Sequence, residues 1–343
     1  MISKNILHSE VVLKRFETFI KTDCLAHAYL FCGPVGIGKS ETALSVAKLI
    51  FCQNRRDGVS CGTCPACLKV NSGSHPDVHM FEAVSSEEAQ QGLMRPKEAD
   101  RDDLSESRSI RIEQIRHLNA RMQLRPFEAN TKIFILKDIE NLSLDAANAL
   151  LKTLEEPSAD TLLLLTTSQT ENVLETIRSR CQTIQFFPLG AEKLEECLAK
   201  EGWLRGDALY FLSIFSEGSL GKARKLDEEN IFKTKNETIN QFVYSRESNS
   251  YIDAVCEDAV RARETLKVLL TWFRDLMFLK LNVDRVRVVH RDRLNDLQKL
   301  QSRYSFEELE GIVREIMETS KLLEENLNIK VALTLVKERL WRG

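Results

Sequence analysis

A glycine-rich octapeptide near the start of the chain restricts its fold more than any other feature of the sequence. Residues 33–40 read G-P-V-G-I-G-K-S and fit the pattern G-x-x-x-x-G-K-[ST]. In such a loop the backbone N–H groups form a nest for phosphate oxygens, the lysine reaches the β- and γ-phosphates, and the hydroxyl ligates Mg²⁺. The candidate nucleotide ligands are Gly33, Gly36, Gly38, Lys39 and Ser40.

The surroundings of this loop favour a phosphate site over a chance glycine-rich turn. An apolar run at 28–32 predicts a buried strand before the loop, and a helix is predicted from Lys39, with Ala43 and Val46 on its apolar face. Further strands are predicted at 78–82, 133–137, 162–167 and 183–187, with a helix over 144–156 that Ser143 caps and Pro157 ends. Strands that alternate with helices predict an α/β fold with a parallel sheet covered on both sides.

The second half of the chain has a different pattern. From Ala191 onward the apolar residues recur at helical spacing. Leu266, Leu269 and Phe273 share one predicted helix face, and another predicted face carries Val331, Leu335, Val336 and Leu340. This half is therefore expected to be entirely helical. Residues 83–108 are polar and have little periodicity, and we interpret them as a mobile insertion.

Composition excludes some classes of protein. The formal net charge is −3, so the chain is not a basic nucleic-acid coat, and any DNA contact must come from a local patch or from partner chains. Apolar runs such as residues 162–165 are far too short to span a bilayer. Residues 1–20 contain no uninterrupted apolar signal core, and we expect no membrane partner and a cytoplasmic location.

Four of the nine cysteines form a motif of their own. Cys52, Cys61, Cys64 and Cys67 are spaced C-x8-C-x2-C-x2-C, which predicts four thiolates around one metal ion. Four protein ligands leave no open position, so a zinc ion here would be structural. An iron–sulfur cluster and a redox-active cysteine pair remain alternatives.

Several motifs occur in an order that resembles one known family. Residues 27–31, H-A-Y-L-F, lead into the phosphate loop, and S-H-P-D follows the cysteines at 74–77. Later come N-A-L-L-K-T-L-E-E-P at 148–157 and T-I-R-S-R-C at 176–181. Together they resemble the clamp-loader branch of the AAA+ ATPases, over most of residues 5–225.

The resemblance implies a domain organisation. Residues 1–188 would form the AAA+ core, with a zinc insertion at 52–67 and the mobile insertion at 83–108. Residues 189–232 would form a small helical lid, and residues 233–343 a helical collar that assembles the subunits.

The resemblance also implies partners and roles for two further residues. Such proteins assemble as hetero-pentamers of gamma or tau motor subunits, a delta subunit and a delta-prime subunit, which place a sliding clamp on primer–template DNA. Arg180, in the S-R-C sequence, would be an arginine finger that reaches the ATP of a neighbouring subunit. Thr167 would occupy the sensor-1 position at the end of its strand.

Two positions depart from the pattern of an active ATPase. Such an enzyme has Asp-Glu after the third predicted strand, where the aspartate holds Mg²⁺ and the glutamate orients the attacking water. Here Lys137 and Asp138 occupy these positions, and Glu140 is a possible substitute. Gly221 replaces the lid arginine of motor subunits, for which Lys222 could compensate only in part.

These departures distinguish three hypotheses. The first is a delta-prime-type stator that donates Arg180 and has weak or no ATPase activity of its own. The second is an ATP-hydrolysing motor of the gamma or tau type, favoured by the intact phosphate loop, which could bind ATP and Mg²⁺. The third, a zinc-bearing nucleic-acid adaptor, leaves the phosphate loop unexplained.

Overall fold

The chain divides into two compact units, Met1–Pro188 and Leu189–Gly343. The computed structural model describes residues 7–95, 108–202, 205–247, 249–282, 288–324 and 328–341. The further division of the second unit into a lid and a collar at residue 232 stays a prediction.

The first unit is a parallel sheet of five strands with helices on both faces, as predicted. Its strand order is β2-β3-β4-β1-β5, and every pairing is parallel. The strands are β1 (Ala28–Cys32), β2 (Val78–Phe81), β3 (Lys132–Leu136), β4 (Thr161–Thr167) and β5 (Gln182–Gln185). The helices are α1 (Leu7–Lys21), α2 (Lys39–Phe51), α3 (Pro65–Asn71), α4 (Ser86–Gln90), α5 (Ile112–Met122), α6 (Leu144–Glu155) and α7 (Glu175–Arg178).

Alternate residues of the central strands bury the two faces of the sheet. Tyr29 and Phe31 of β1 pack toward α1 and α2, whereas Leu30 packs toward α5 and α6. Burial on both faces explains why these strands are continuous apolar runs. At the start of α6 the Ser143 side chain accepts the Ala146 N–H, so the predicted N-cap is confirmed.

The prediction of a mobile insertion at 83–108 is wrong for its first part. Val84 is fully buried and its backbone pairs with Ser109. Helix α4 begins two residues after Val84, at Ser86. Ser85 and Glu88 form a capping box, in which each side chain accepts the other residue's backbone N–H. Two of the polar residues that suggested a loop therefore form a helix cap. Residues 96–107 lie outside the described residues.

The second unit is helical throughout its described part. Its α-helices are α8 (Ala191–Glu201), α9 (Asp207–Phe215), α10 (Leu220–Glu228), α11 (Ile231–Ile239), α12 (Asn249–Cys256), α13 (Ala259–Lys280), α14 (Leu294–Leu300), α15 (Phe306–Glu324) and α16 (Ile329–Trp341). Helix α13 is central and packs against α11, α12, α14, α15 and α16. None of the described helices combines the length and the apolar character that crossing a bilayer requires.

The predicted apolar face of α16 is partly wrong. Val331 and Leu335 are 49% and 51% exposed, and the buried stripe consists of Ala332, Leu333, Val336 and Leu340. Apolar residues occur on most sides of this helix, so periodicity alone does not identify the face that packs.

Candidate nucleotide and metal sites

The phosphate loop connects β1 to α2 and is held against the ends of two other strands. The Gly33 N–H donates to the Thr167 carbonyl of β4 at 3.2 Å, and the Phe186 N–H after β5 donates to the Cys32 carbonyl at 2.7 Å. A Cβ at Gly33 would lie 2.5 Å from the Phe186 carbonyl oxygen, so only glycine fits. Gly36 and Gly38 both have left-handed backbone conformations.

The Lys39 side chain folds back onto this loop. Its Nζ donates to the carbonyls of Gly33 at 2.7 Å and Pro34 at 2.8 Å, and the side chain is buried. Burial lowers the pKa of Lys39, and the nearby carboxylates of Asp138 and Glu140 partly oppose that shift. Ser40 is half-buried in the first turn of α2. A nucleotide that used Lys39 would have to replace its two carbonyl partners.

Lys137, which is expected from the sequence at the position of the metal-binding aspartate, forms an ion pair next to the sheet. Its Nζ lies 2.7 Å from Oε1 of Glu82, the residue after β2, and both side chains are largely buried. The ammonium group has no lone pair with which to ligate Mg²⁺ and would repel the ion. Glu82 neutralises this charge within the fold.

Asp138 and Glu140 form the loop after β3 and contact the end of β4. Asp138 has a left-handed backbone, and its N–H donates to the Thr166 hydroxyl at 3.0 Å. Desolvation and the Glu140 carboxylate raise the pKa of Asp138. Oε1 of Glu140 accepts the Ser168 N–H and hydroxyl at 2.9 and 2.5 Å. Partial burial opposes ionisation of Glu140, but the bonds from Ser168 outweigh it and lower its pKa.

Thr167, the sensor-1 candidate, lies between these groups. It is fully buried at the end of β4, its carbonyl accepts the Gly33 N–H, and its hydroxyl accepts the Gln169 N–H. The structure thus brings the phosphate loop, Thr167, Asp138 and Glu140 to one edge of the sheet.

Arg180 lies in the turn after α7, and its hydrogen bonds are to residues outside the phosphate loop. Its Nη2 lies 2.7 Å from Oε1 of Glu155, the last residue of α6, and its Nη1 donates to the Thr176 carbonyl at 3.0 Å. The side chain is 35% exposed. A guanidinium at the surface is available to a neighbouring molecule.

The lid candidates belong to the helical unit. Ser219 caps α10, so Gly221 and Lys222 lie in its first turn. The Lys222 Nζ lies 3.0 Å from Glu217, whose other oxygen pairs with Lys267 at 2.6 Å.

The four motif cysteines converge between α2 and α3. Cys52 follows α2, Cys64 precedes α3 and Cys67 lies within it. Between Cys52 and Cys61 the chain reverses in a tight hairpin. In this hairpin Arg56 pairs with Val59 across Asp57 and Gly58, which both have left-handed backbone conformations. The four sulfur atoms lie within 4.8 Å of one another.

The donor set of this cluster fits a thiolate-bound metal ion. The Cys61 N–H donates to the Cys52 sulfur at 3.2 Å, and the Cys64 N–H donates to the Cys61 sulfur at 3.3 Å. Backbone N–H groups of Thr63 and Cys64 lower the pKa of Cys61 to about 6, whereas burial and the neighbouring sulfurs raise that of Cys67 to about 12. Crowded sulfurs that cannot all ionise without a cation are typical of a site that holds one.

The motif S-H-P-D at 74–77 has a structural role that sequence reasoning did not identify. The buried Asp77 carboxylate accepts the backbone N–H groups of Phe127, Glu128 and Ala129 at 2.7, 2.8 and 2.9 Å. His75 stacks on Phe51 with ring centroids 4.5 Å apart. These contacts hold the loop before β3 beside the cysteine module.

Comparison with known proteins identifies the family. The sequence profile described as "DNA polymerase III, delta subunit" matches residues 8–190. The chain belongs to this family. The profile described as "DNA polymerase III, delta subunit, C terminal" matches residues 231–339 of the helical unit.

Three individual subunits of DNA polymerase III that resemble this chain agree with this assignment. The delta-prime subunit of Bacillus subtilis is 26% identical over 328 residues, which cover 93% of this chain and 92% of that protein. The delta-prime subunit of Pseudomonas aeruginosa is 39% identical over 176 residues, 51% of this chain and 47% of that protein. The tau subunit of Bacillus subtilis is 29% identical over 183 residues, 53% of this chain but 28% of that protein. The resemblance to clamp-loader subunits is thereby confirmed.

Proposed function

We propose that this chain is the delta-prime subunit of a bacterial clamp loader and acts in it as a stator. It donates Arg180 to the ATP site of a neighbouring subunit, and its own ATP hydrolysis is weak or absent. The match to a delta-prime subunit along nearly the whole chain supports the subunit type.

The Lys137–Glu82 ion pair is the main support for a stator role. An active site of this class needs a carboxylate at the end of β3 to hold Mg²⁺ against the nucleotide. Here that position carries a cation whose partner, Glu82, lies 2.7 Å away, just after the neighbouring strand β2. A bound ATP would therefore lack its usual metal ligand, and the phosphate loop could hold a nucleotide without cleaving it.

A motor of the gamma or tau type is the alternative, favoured by the carboxylates that remain. Asp138 and Glu140 lie near enough to Lys39 to affect its pKa. However, Oε1 of Glu140 already accepts two hydrogen bonds from Ser168. Its Oε2 has no hydrogen-bond partner among the described residues. Turnover in the isolated chain would require these two side chains to replace the missing aspartate.

The partly exposed guanidinium of Arg180 supports the finger role. Arg180→Ala should leave the fold intact, because the pair with Glu155 is half exposed and such pairs add about 0–1 kcal/mol. In the reconstituted loader, the ATP site served by Arg180 should lose turnover by roughly a thousandfold, the lower range for arginine fingers. Arg116→Ala, an exposed arginine on α5, is the matched control. Full ATPase activity of the Arg180→Ala loader would contradict the assignment.

The cysteine module supports a structural zinc ion. Cys52, Cys61, Cys64 and Cys67 would complete a tetrahedral site without an open position, and such an ion supplies folding energy rather than chemistry. A single ion also suits sulfurs this close together better than the larger body of an iron–sulfur cluster does.

The proposed partners are gamma or tau motor subunits, a delta subunit, the sliding clamp and, through the assembly, primer–template DNA in the cytoplasm. The exposed Val331 and Leu335 on α16 support a collar that packs against other subunits, because apolar side chains at a surface favour association. The net charge of −3 favours contact with DNA through the assembly rather than by this chain alone.

A further inference from the structure

Arg180 is held by two acceptors that belong to different elements. One is the carboxylate of Glu155 at the end of α6, 2.7 Å from Nη2. The other is the carbonyl of Thr176 in α7, 3.0 Å from Nη1. Each terminal nitrogen thus has its own partner, and the two contacts together fix the plane of the guanidinium.

These contacts leave the group able to bind a second anion. A guanidinium has five N–H donors in a rigid fork, of which the two contacts use two. The Arg180 and Glu155 side chains are 35% and 50% exposed, so the pair lies at the surface rather than in the core. An ion pair this exposed adds little to stability, and its effect is chiefly on where the guanidinium lies.

We infer that Glu155 is a positioning residue for Arg180, which it holds in the orientation that meets the phosphates of the neighbouring subunit's ATP. The inference rests on the proposed finger role. Arginine has a long side chain with many rotamers, and the unproductive ones must be excluded before the guanidinium can meet a phosphoryl group. Glu155 excludes them in advance, because α6 is anchored in the core by Leu150 and Leu154.

The test uses the loader reconstituted with motor and delta subunits, with steady-state ATPase as the readout. Glu155→Gln keeps the shape of the side chain but removes its charge, and Glu156→Gln, the exposed neighbour, is the control. Glu155→Gln should lower kcat at the site that Arg180 serves by about three- to tenfold, as expected for a misplaced catalytic group, with KM for ATP little changed. Glu156→Gln should match the wild type.

A double-mutant cycle separates this role from a structural one. Adding Glu155→Gln to Arg180→Ala should cause no further loss, because Glu155 acts only through Arg180. The melting temperature of the isolated chain should not change in either single variant. A further loss in the double variant, or equal activity of the Glu155→Gln and Glu156→Gln loaders, would overturn the inference. An Arg180→Ala loader with full activity would instead refute the finger role on which it rests.

Discussion

Lys39 and Lys137 lie at the same edge of the sheet, but their partners differ in kind. Lys39 donates to two neutral carbonyls of its own loop, which a phosphate can replace. Lys137 pairs with the largely buried carboxylate of Glu82. A phosphate that bound Lys137 would have to break this ion pair and leave the Glu82 carboxylate buried without its partner, which costs free energy. We therefore expect the phosphate loop to remain able to bind an anion, and we expect Lys137 to prevent its position from holding Mg²⁺.

Asp275 in α13 makes the stability of the helical unit depend on pH. The side chain is fully buried, and desolvation raises its pKa from 3.8 to about 6, although it accepts the N–H groups of Val289 and His290. The fold thus favours the protonated form. Its stabilising contribution is complete below pH 3.8 and is lost as the pH rises to about 6.

The expected result is a pH-dependent difference between the wild type and Asp275→Asn. Relative to this variant, the wild type should lose about 1.4 kcal/mol of unfolding free energy per pH unit within that interval and nothing further above it. Urea denaturation at a series of pH values measures the difference, with Glu257→Gln, an exposed acidic residue, as the control. A difference that stays constant with pH would contradict the shift.

At the scale of elements, we expect the cysteine module to depend on a bound metal ion rather than on a core of its own. Among the described residues, the partly buried apolar residues that pack against its three buried cysteines are Cys61 and Ala66 alone. Cys64→Ser should therefore release zinc and unfold residues 52–67, because a closed four-thiolate site supplies folding energy. Metal content and amide hydrogen exchange of this segment are the measurements. Cys24→Ser, at an exposed cysteine, should retain both, and a Cys64→Ser protein with unchanged zinc would be incompatible with the proposed site.

Helix α4 should stabilise the first unit through its cap. Ser85→Ala removes the side-chain acceptor of the Glu88 N–H, and loss of an N-cap typically costs about 1 kcal/mol. Glu87→Ala on the exposed side of the same helix is the matched control. Thermal unfolding should separate the two variants, and equal melting temperatures would mean that the capping box adds nothing. Deletion of residues 83–108, which a mobile insertion would tolerate, should now destabilise the unit, because it removes the buried Val84.

At the scale of the whole molecule, local patterns predicted the sheet and the position of the phosphate loop. Strands buried on both faces appear in the sequence as continuous apolar runs. Gly33, which must accept the close approach of Phe186, is the first glycine of the phosphate-loop pattern. The four cysteines could also be grouped, because three of them lie within seven residues.

Contacts between distant residues could not be read in the same way. The partners of Lys137 and Asp77 lie about fifty residues away along the chain, and Glu155 and Arg180 are joined only because α6 and α7 pack together. Likewise, the apolar residues of α16 surround the helix, so its buried face depends on its neighbours. Tertiary packing selects among alternatives that periodicity leaves equivalent.

We propose that this subunit serves a neighbour's ATP site and does not hydrolyse ATP itself. The most direct measurement is ATP turnover by the purified single chain, with nucleotide binding measured on the same sample and Lys39→Ala as the reference. We expect turnover no higher than that of Lys39→Ala, whether or not nucleotide binds. Clear turnover that Lys39→Ala abolishes would contradict it, and would mean that Asp138 and Glu140 complete an active motor site despite Lys137.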